Sequence, residues 1–116
     1  MKRGAVTVAM LSLVVSCSGY LPPHLHLAKA ISTTQVAEEL GATKLEHSAY
    51  HVRLAHDAIL RAQDFIRAGE HEKADYMTLR AYNDAELAIA LTREATARAA
   101  ADLAAEKKRA SGFWAP

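Results

Sequence analysis

A chain of 116 residues with 14 Lys and Arg against 13 Asp and Glu carries no excess of one sign, so nothing in it suggests the basic face of a nucleic-acid binder. Alanine and leucine are abundant, while glycine, proline and aromatic residues are scarce. That is the composition of closely packed long helices with few turns, in at most one small domain. The single cysteine, Cys17, excludes an intrachain disulfide and any cysteine-rich metal site.

In chain order the first element is a signal. "MKR" is a short positive region, and "GAVTVAMLSLVVS" is an uncharged, mostly apolar run. The run falls short of the roughly 20 apolar residues a transmembrane helix needs. A charged start, a short apolar segment and small residues at its end describe an export signal. Read on those grounds alone, the stretch is a plain signal peptide with a cysteine nearby, or a short apolar helix. The phrase "VVSC" adds aliphatic Val14 and Val15 and small Ser16 immediately before Cys17, and it resembles the lipobox of bacterial lipoproteins. The resemblance implies a diacylglycerol on the Cys17 sulfur, cleavage between Ser16 and Cys17, acylation of the new amino terminus with a fatty acid such as palmitate, and a signal peptide spanning 1–16. One acyl chain, at about 0.8 kcal/mol per buried methylene, holds a protein to a bilayer only marginally, whereas two or three hold it firmly. Ser18 follows the cysteine. By the same resemblance, a residue there other than aspartate implies sorting to the outer membrane, facing the periplasm.

Residues 17–31 read as an extended tether, because Gly19, Pro22 and Pro23 oppose regular structure. A helical domain is expected over 32–109. Ser32 with Gln35 forms a capping-box pattern, and Glu38 and Glu39 follow. Gly41 interrupts the helical pattern. From Leu45 an apolar row runs through Val52, Ala55, Ile59, Ala62 and Ile66 at steps of mostly three and four. Val36 and Leu40 lie off that row, so a break at Gly41 is expected, with a short first helix and a longer second one. Gly69 suits a helix C-terminus, which predicts a turn at 68–71. The third helix then carries Ala74, Met77, Ala81, Ala85, Ala88, Leu91, Ala95, Ala99 and Leu103 on one row. The fold class expected is all-α: an antiparallel hairpin of long, alanine-rich helices, preceded by a short helix. That short helix is expected to cover the excess of the third, near Ala95 to Leu103, through Val36 and Leu40. Residues 110–116 form a tail in which Phe113 and Trp114 either fold back onto the helices or dock on a partner.

The segment from "GATKLEHSAYH" through "RAGEHEKADY" to "NDAELAIALTREA" resembles the bacterial domain of unknown function 4398. Members share a Gly-Ala break, an Ala/Leu helix, a turn like "AGEHEKA" and a phrase like "DAELA", often behind a lipoprotein signal. The resemblance covers about residues 33–105 and implies a helical domain with no established activity. Some members precede a peptidoglycan-binding domain of the outer-membrane-protein-A type. This sequence ends at "SGFWAP", so wall binding is not carried over. The turn is also similar to that of tetratricopeptide repeats, but one copy stands where a solenoid needs about three.

Few residues offer chemistry. His47 and His51 are four apart on one helical face, and His24 and His26 lie in the expected tether. Helical histidines at that spacing can share a metal, although no third ligand is evident and no HExxH motif occurs. Asp57 and Asp64 read as a solvated stripe with Arg53, Arg61 and Arg67. No nucleophile constellation or phosphate loop is present in the sequence. The expected function is that of a non-enzymatic cell-envelope lipoprotein with no cofactor, held to the membrane by its lipid. It acts as a helical interaction or structural module, through self-association or another envelope protein, with Ala90, Ala97, Ala100 and Trp114 as the candidate contact face. The alternative is a periplasmic metal-binding module using His24, His26, His47 and His51.

Overall fold

The computed structural model of the chain describes residues 23–112. Three helices account for most of them: α1, Pro23–Glu39; α2, Glu46–Arg67; and α3, His71–Ala110, with a 3-10 turn at Ala42–Lys44 between the first two. Among the described residues there is no strand, and no helix is long and apolar enough to cross a membrane. The expectations for residues 1–16, Cys17 and Trp114 lie outside the described residues.

The first helix departs from expectation. It opens at Pro23, so residues 23–31 are helix rather than tether, and Ser32 is an exposed residue inside α1 rather than its cap. A proline suits the first helical position because its fixed φ is already helical and its missing N–H would have had no partner there. The buried row of α1 is Leu27, Ala30, Thr34 and Ala37, at steps of three and four. Thr34 is accommodated because its Oγ1 donates to the Ala30 carbonyl at 2.8 Å. Val36 and Leu40 lie off this row and are 40% and 44% exposed, so they do not serve as the expected cover.

Both punctuation marks are where the glycines predict them. The Gly41 N–H donates to the Glu38 carbonyl at 2.9 Å, and Gly41 adopts φ 90°, ψ 20°. Only glycine enters that left-handed region without steric cost. Leu45 is extended at φ −113°, ψ 123°, and α2 begins after it. At the other end of α2, Gly69 has φ 74°. The Glu70 N–H donates to the Phe65 carbonyl at 2.9 Å and that of Gly69 to Ile66 at 3.1 Å, which is the paired bonding of a Schellman stop.

α2 and α3 form the antiparallel hairpin. α1 completes a three-helix arrangement in which it runs parallel to α3. The direction follows from the core. Near the Gly69 turn, Leu27 and Ala30 meet Ala58, Ile59, Ala62 and Ala81. Toward the other end, Ala37 and Ala42 meet Val52, Ala88 and Ile89. In α2, Val52, Ala55, Ile59 and Ala62 of the expected row are buried, while Leu45 and Ile66 are half-buried. In α3, Ala74, Ala81, Ala85 and Ala88 are buried as expected. Thr78, Ile89 and Thr92 join them because α1 covers a second flank.

The expected row fails beyond Thr96. Ala99 and Leu103 are exposed, and so is every residue from 96 to 110. α1 lies beside the middle of α3 and does not reach its end. With 40 residues α3 is about 60 Å long, against about 33 Å for the 22 residues of α2. Residues 97–110 therefore project about 21 Å beyond the bundle.

Candidate functional site

The histidines hold helices together. The His51 Nδ1–H of α2 donates to Oδ1 of Asp84 on α3 at 3.0 Å, with both side chains largely buried. The His56 Nε2–H donates to Oε1 of Glu38 on α1 at 2.7 Å, in a more exposed setting. One histidine thus ties α2 to each of its neighbours, a role the sequence reading did not assign to His51, His56 or Asp84. Both partners are remote in sequence, 33 and 18 residues away.

The three candidate metal ligands whose side chains are described, His26, His47 and His51, do not come together in one place. His47 is exposed one turn before His51. His26 is exposed one residue before Leu27, whose neighbours Ile59 and Ala62 lie 12 or more residues along α2 from His47. That separation is roughly 18 Å. The side chain of His24 lies outside the described ones. Among the described residues, no three His, Cys, Asp or Glu groups are gathered as a metal site. The Asp57 and Asp64 reading fits the geometry: both are exposed, and Asp64 pairs with Arg67 one turn away.

The outer side of the hairpin, away from α1, is a shallow groove between α2 and α3 lined by Leu54, Tyr76, Arg80, Asn83 and Leu87. Tyr76 is 63% and Leu87 43% exposed. A second hollow shares Leu54 and Arg80 and adds Asp57, Arg61 and Met77. The α3 wall of this groove continues into the projecting end. Tyr76, Arg80, Asn83 and Leu87 are followed at helical spacing by Ala90, Glu94, Ala97, Ala101 and Ala104, every one exposed. Ala90 and Ala97 of the expected contact face belong to this line. Ala100 is also exposed; it lies about 60° around the helix from Ala97 and about 100° from Ala101, at the edge of the line toward the flank that α1 covers lower down. The exposed line runs from the expected residues back to Tyr76. No family model matches this chain, and no curated protein or solved structure matches it, so the resemblance to domain of unknown function 4398 rests on the quoted phrases alone.

Proposed function

We propose that this chain is a lipid-anchored protein of the bacterial cell envelope that performs no catalysis and acts through its helical surface. The observation that carries the reading is the order of residues 1–17: a basic start, a short apolar run, then small Ser16 directly before the only cysteine, Cys17. Acylation at Cys17 supplies the anchor, and Ser18 directs it to the outer membrane. The surface half of the reading is supported by the open line of residues on α3 and by a core made mostly of alanine. Alanine buries little area per residue, and a small domain with such a core gains from association. Self-association or docking to another envelope protein occurs through α3 between about residues 88 and 104.

The test is Cys17→Ser in cells given labelled fatty acid. The parent chain takes up label and fractionates with membrane, whereas the substituted chain takes up none and escapes the lipoprotein pathway. Label on the substituted chain, or undiminished membrane fractionation without label, refutes acyl anchoring at this residue.

A further inference from the structure

We propose that the outer face of α3 is the seam of a homodimer in which two copies of α3 pack antiparallel, centred near residue 92. The proposal names the partner within the surface-acting reading and rests on that half of it, not on the anchor.

Starting at Tyr76, steps of four and three alternate without interruption to Lys108. Along this 3.5-residue row, the spacing of a two-helix seam, stand Tyr76, Leu87, Ala90, Ala97, Ala101 and Ala104 with the polar Arg80, Asn83, Glu94 and Lys108 among them, and each position is exposed. The seam lies on the side of α3 opposite the buried row of Ala74, Ala81, Ala85 and Thr92. A partner helix placed there keeps its own α1 and α2 on the far side, so two bundles meet without collision.

The residues are sorted by size and charge along the seam. Its first half, inside the bundle, carries Tyr76, Arg80, Asn83 and Leu87 before Ala90; its second half carries Ala97, Ala101 and Ala104 between Glu94 and Lys108. Antiparallel pairing about residue 92 sets Leu87 against Ala97, Asn83 against Ala101, Arg80 against Ala104, Tyr76 against Lys108 and Ala90 against Glu94. Arg80, Asn83, Leu87 and Glu94 each face an alanine, as interlocking helices require, and the remaining pair sets the Lys108 ammonium on a Tyr76 ring. Parallel pairing in register does the reverse: it stacks Arg80 on Arg80, Glu94 on Glu94 and Lys108 on Lys108, while alanine faces alanine. Like charges so placed repel. Each Glu94 retains its own Arg98 one turn on. The seam is about 48 Å long and about 10 Å wide, or roughly 480 Å² per copy. The pair then buries roughly 1,000 Å², near the lower bound for a specific interface, so the dimer is reversible.

The test uses full-length chains carrying two different tags, co-expressed and oxidised mildly in the membrane, with the unsubstituted chain as control for Cys17. Leu87→Cys on one tag and Ala97→Cys on the other should give a mixed-tag disulfide. Leu87→Cys on both tags should give none, because in the antiparallel pair those positions are about 15 Å apart along the axis. In sedimentation of the purified full chain, Ala97→Glu should raise the dissociation constant roughly tenfold or more, since it buries an unpaired carboxylate. Ala100→Glu should leave it unchanged. Circular dichroism checks that both retain their helix. Self-linking of Leu87→Cys, equal effects of the two glutamates, or a chain that stays monomeric at high concentration overturns the proposal. If a monomeric chain nonetheless crosslinks a different envelope protein and Ala97→Glu abolishes that crosslink, the surface-acting function stands and the second copy does not. Loss of the anchor reading shows separately, as absence of fatty-acid label.

Discussion

Ile59→Ala is the most direct probe of the core. Ile59 is 7% exposed and sits where all three helices meet, among Leu27, Ala30, Ala58, Ala62 and Ala81. The substitution removes three carbons, about 2.4 kcal/mol at 0.8 kcal/mol each. Four of the five buried residues clustered with it are alanines, which have no rotamers with which to fill the space, and the half-buried Ile31, Ile66, Met77 and Tyr82 packed against the cluster fill it only in part, so a cavity term adds to the transfer term. The total comes to about 3–4 kcal/mol. For a domain of this size each kcal/mol lowers Tm by about 4–8 °C, giving a fall of roughly 12–30 °C. The adjacent Leu60 is 59% exposed, and Leu60→Ala should cost no more than about 0.5 kcal/mol. Urea and thermal unfolding followed at 222 nm measure both. A cost below about 1 kcal/mol for Ile59→Ala, or equal costs for the two substitutions, would show that α1 does not close over α2 and α3 as described.

Asp84→Asn removes the carboxylate beneath His51 while keeping its size; it should destabilise by about 1–2 kcal/mol, and a double-mutant cycle with His51→Gln should return a coupling of about 1 kcal/mol. Gly41→Ala forces a side chain into the left-handed region and should cost about 1–2 kcal/mol, with a comparable loss for Gly69→Ala, both read by denaturant midpoint. Zinc or copper at tenfold excess should leave Tm unchanged; a rise of several degrees would mean that His47 and His51 recruit a further ligand and would revive the metal-binding alternative.

The hairpin, its turn and the break were legible because each is set by a local requirement. Gly41 and Gly69 are the residues that tolerate positive φ, and the row from Val52 to Ala62 has an unambiguous helical period. The first helix was not legible for two reasons. Consecutive prolines read as extended chain although the second of them can open a helix, and the buried row of α1 contains one large apolar residue, Leu27, beside alanines and a threonine. The conspicuous apolar residues Val36 and Leu40 drew attention to the wrong face. Which partner Asp84 takes is a tertiary fact, since nothing near it in sequence marks His51. Of the residues expected as a contact face, Ala90 and Ala97 lie on the exposed line that continues the groove, while Ala100 lies at its edge, a difference of direction around the helix that a count of small residues does not register.

The projecting end of α3 has a thermodynamic consequence of its own. A free alanine-rich peptide of about fourteen residues is marginally helical in water, because its first turn fixes several dihedral angles for one hydrogen bond, a nucleation penalty of about a thousandfold. Residues 97–110 avoid that penalty: residues 71–96 of the same helix, clamped by α1 and α2, present an already formed turn, and each further residue adds a bond for each residue fixed. The projection therefore extends from a template and frays from its tip, where the Gly112 N–H still donates to the Arg109 carbonyl at 3.3 Å. In the monomer, at concentrations too low for two copies to pair, amide exchange should quicken steadily from Thr96 toward Ala110, whereas the amides of Ala81 to Ala88 should open only with the whole bundle.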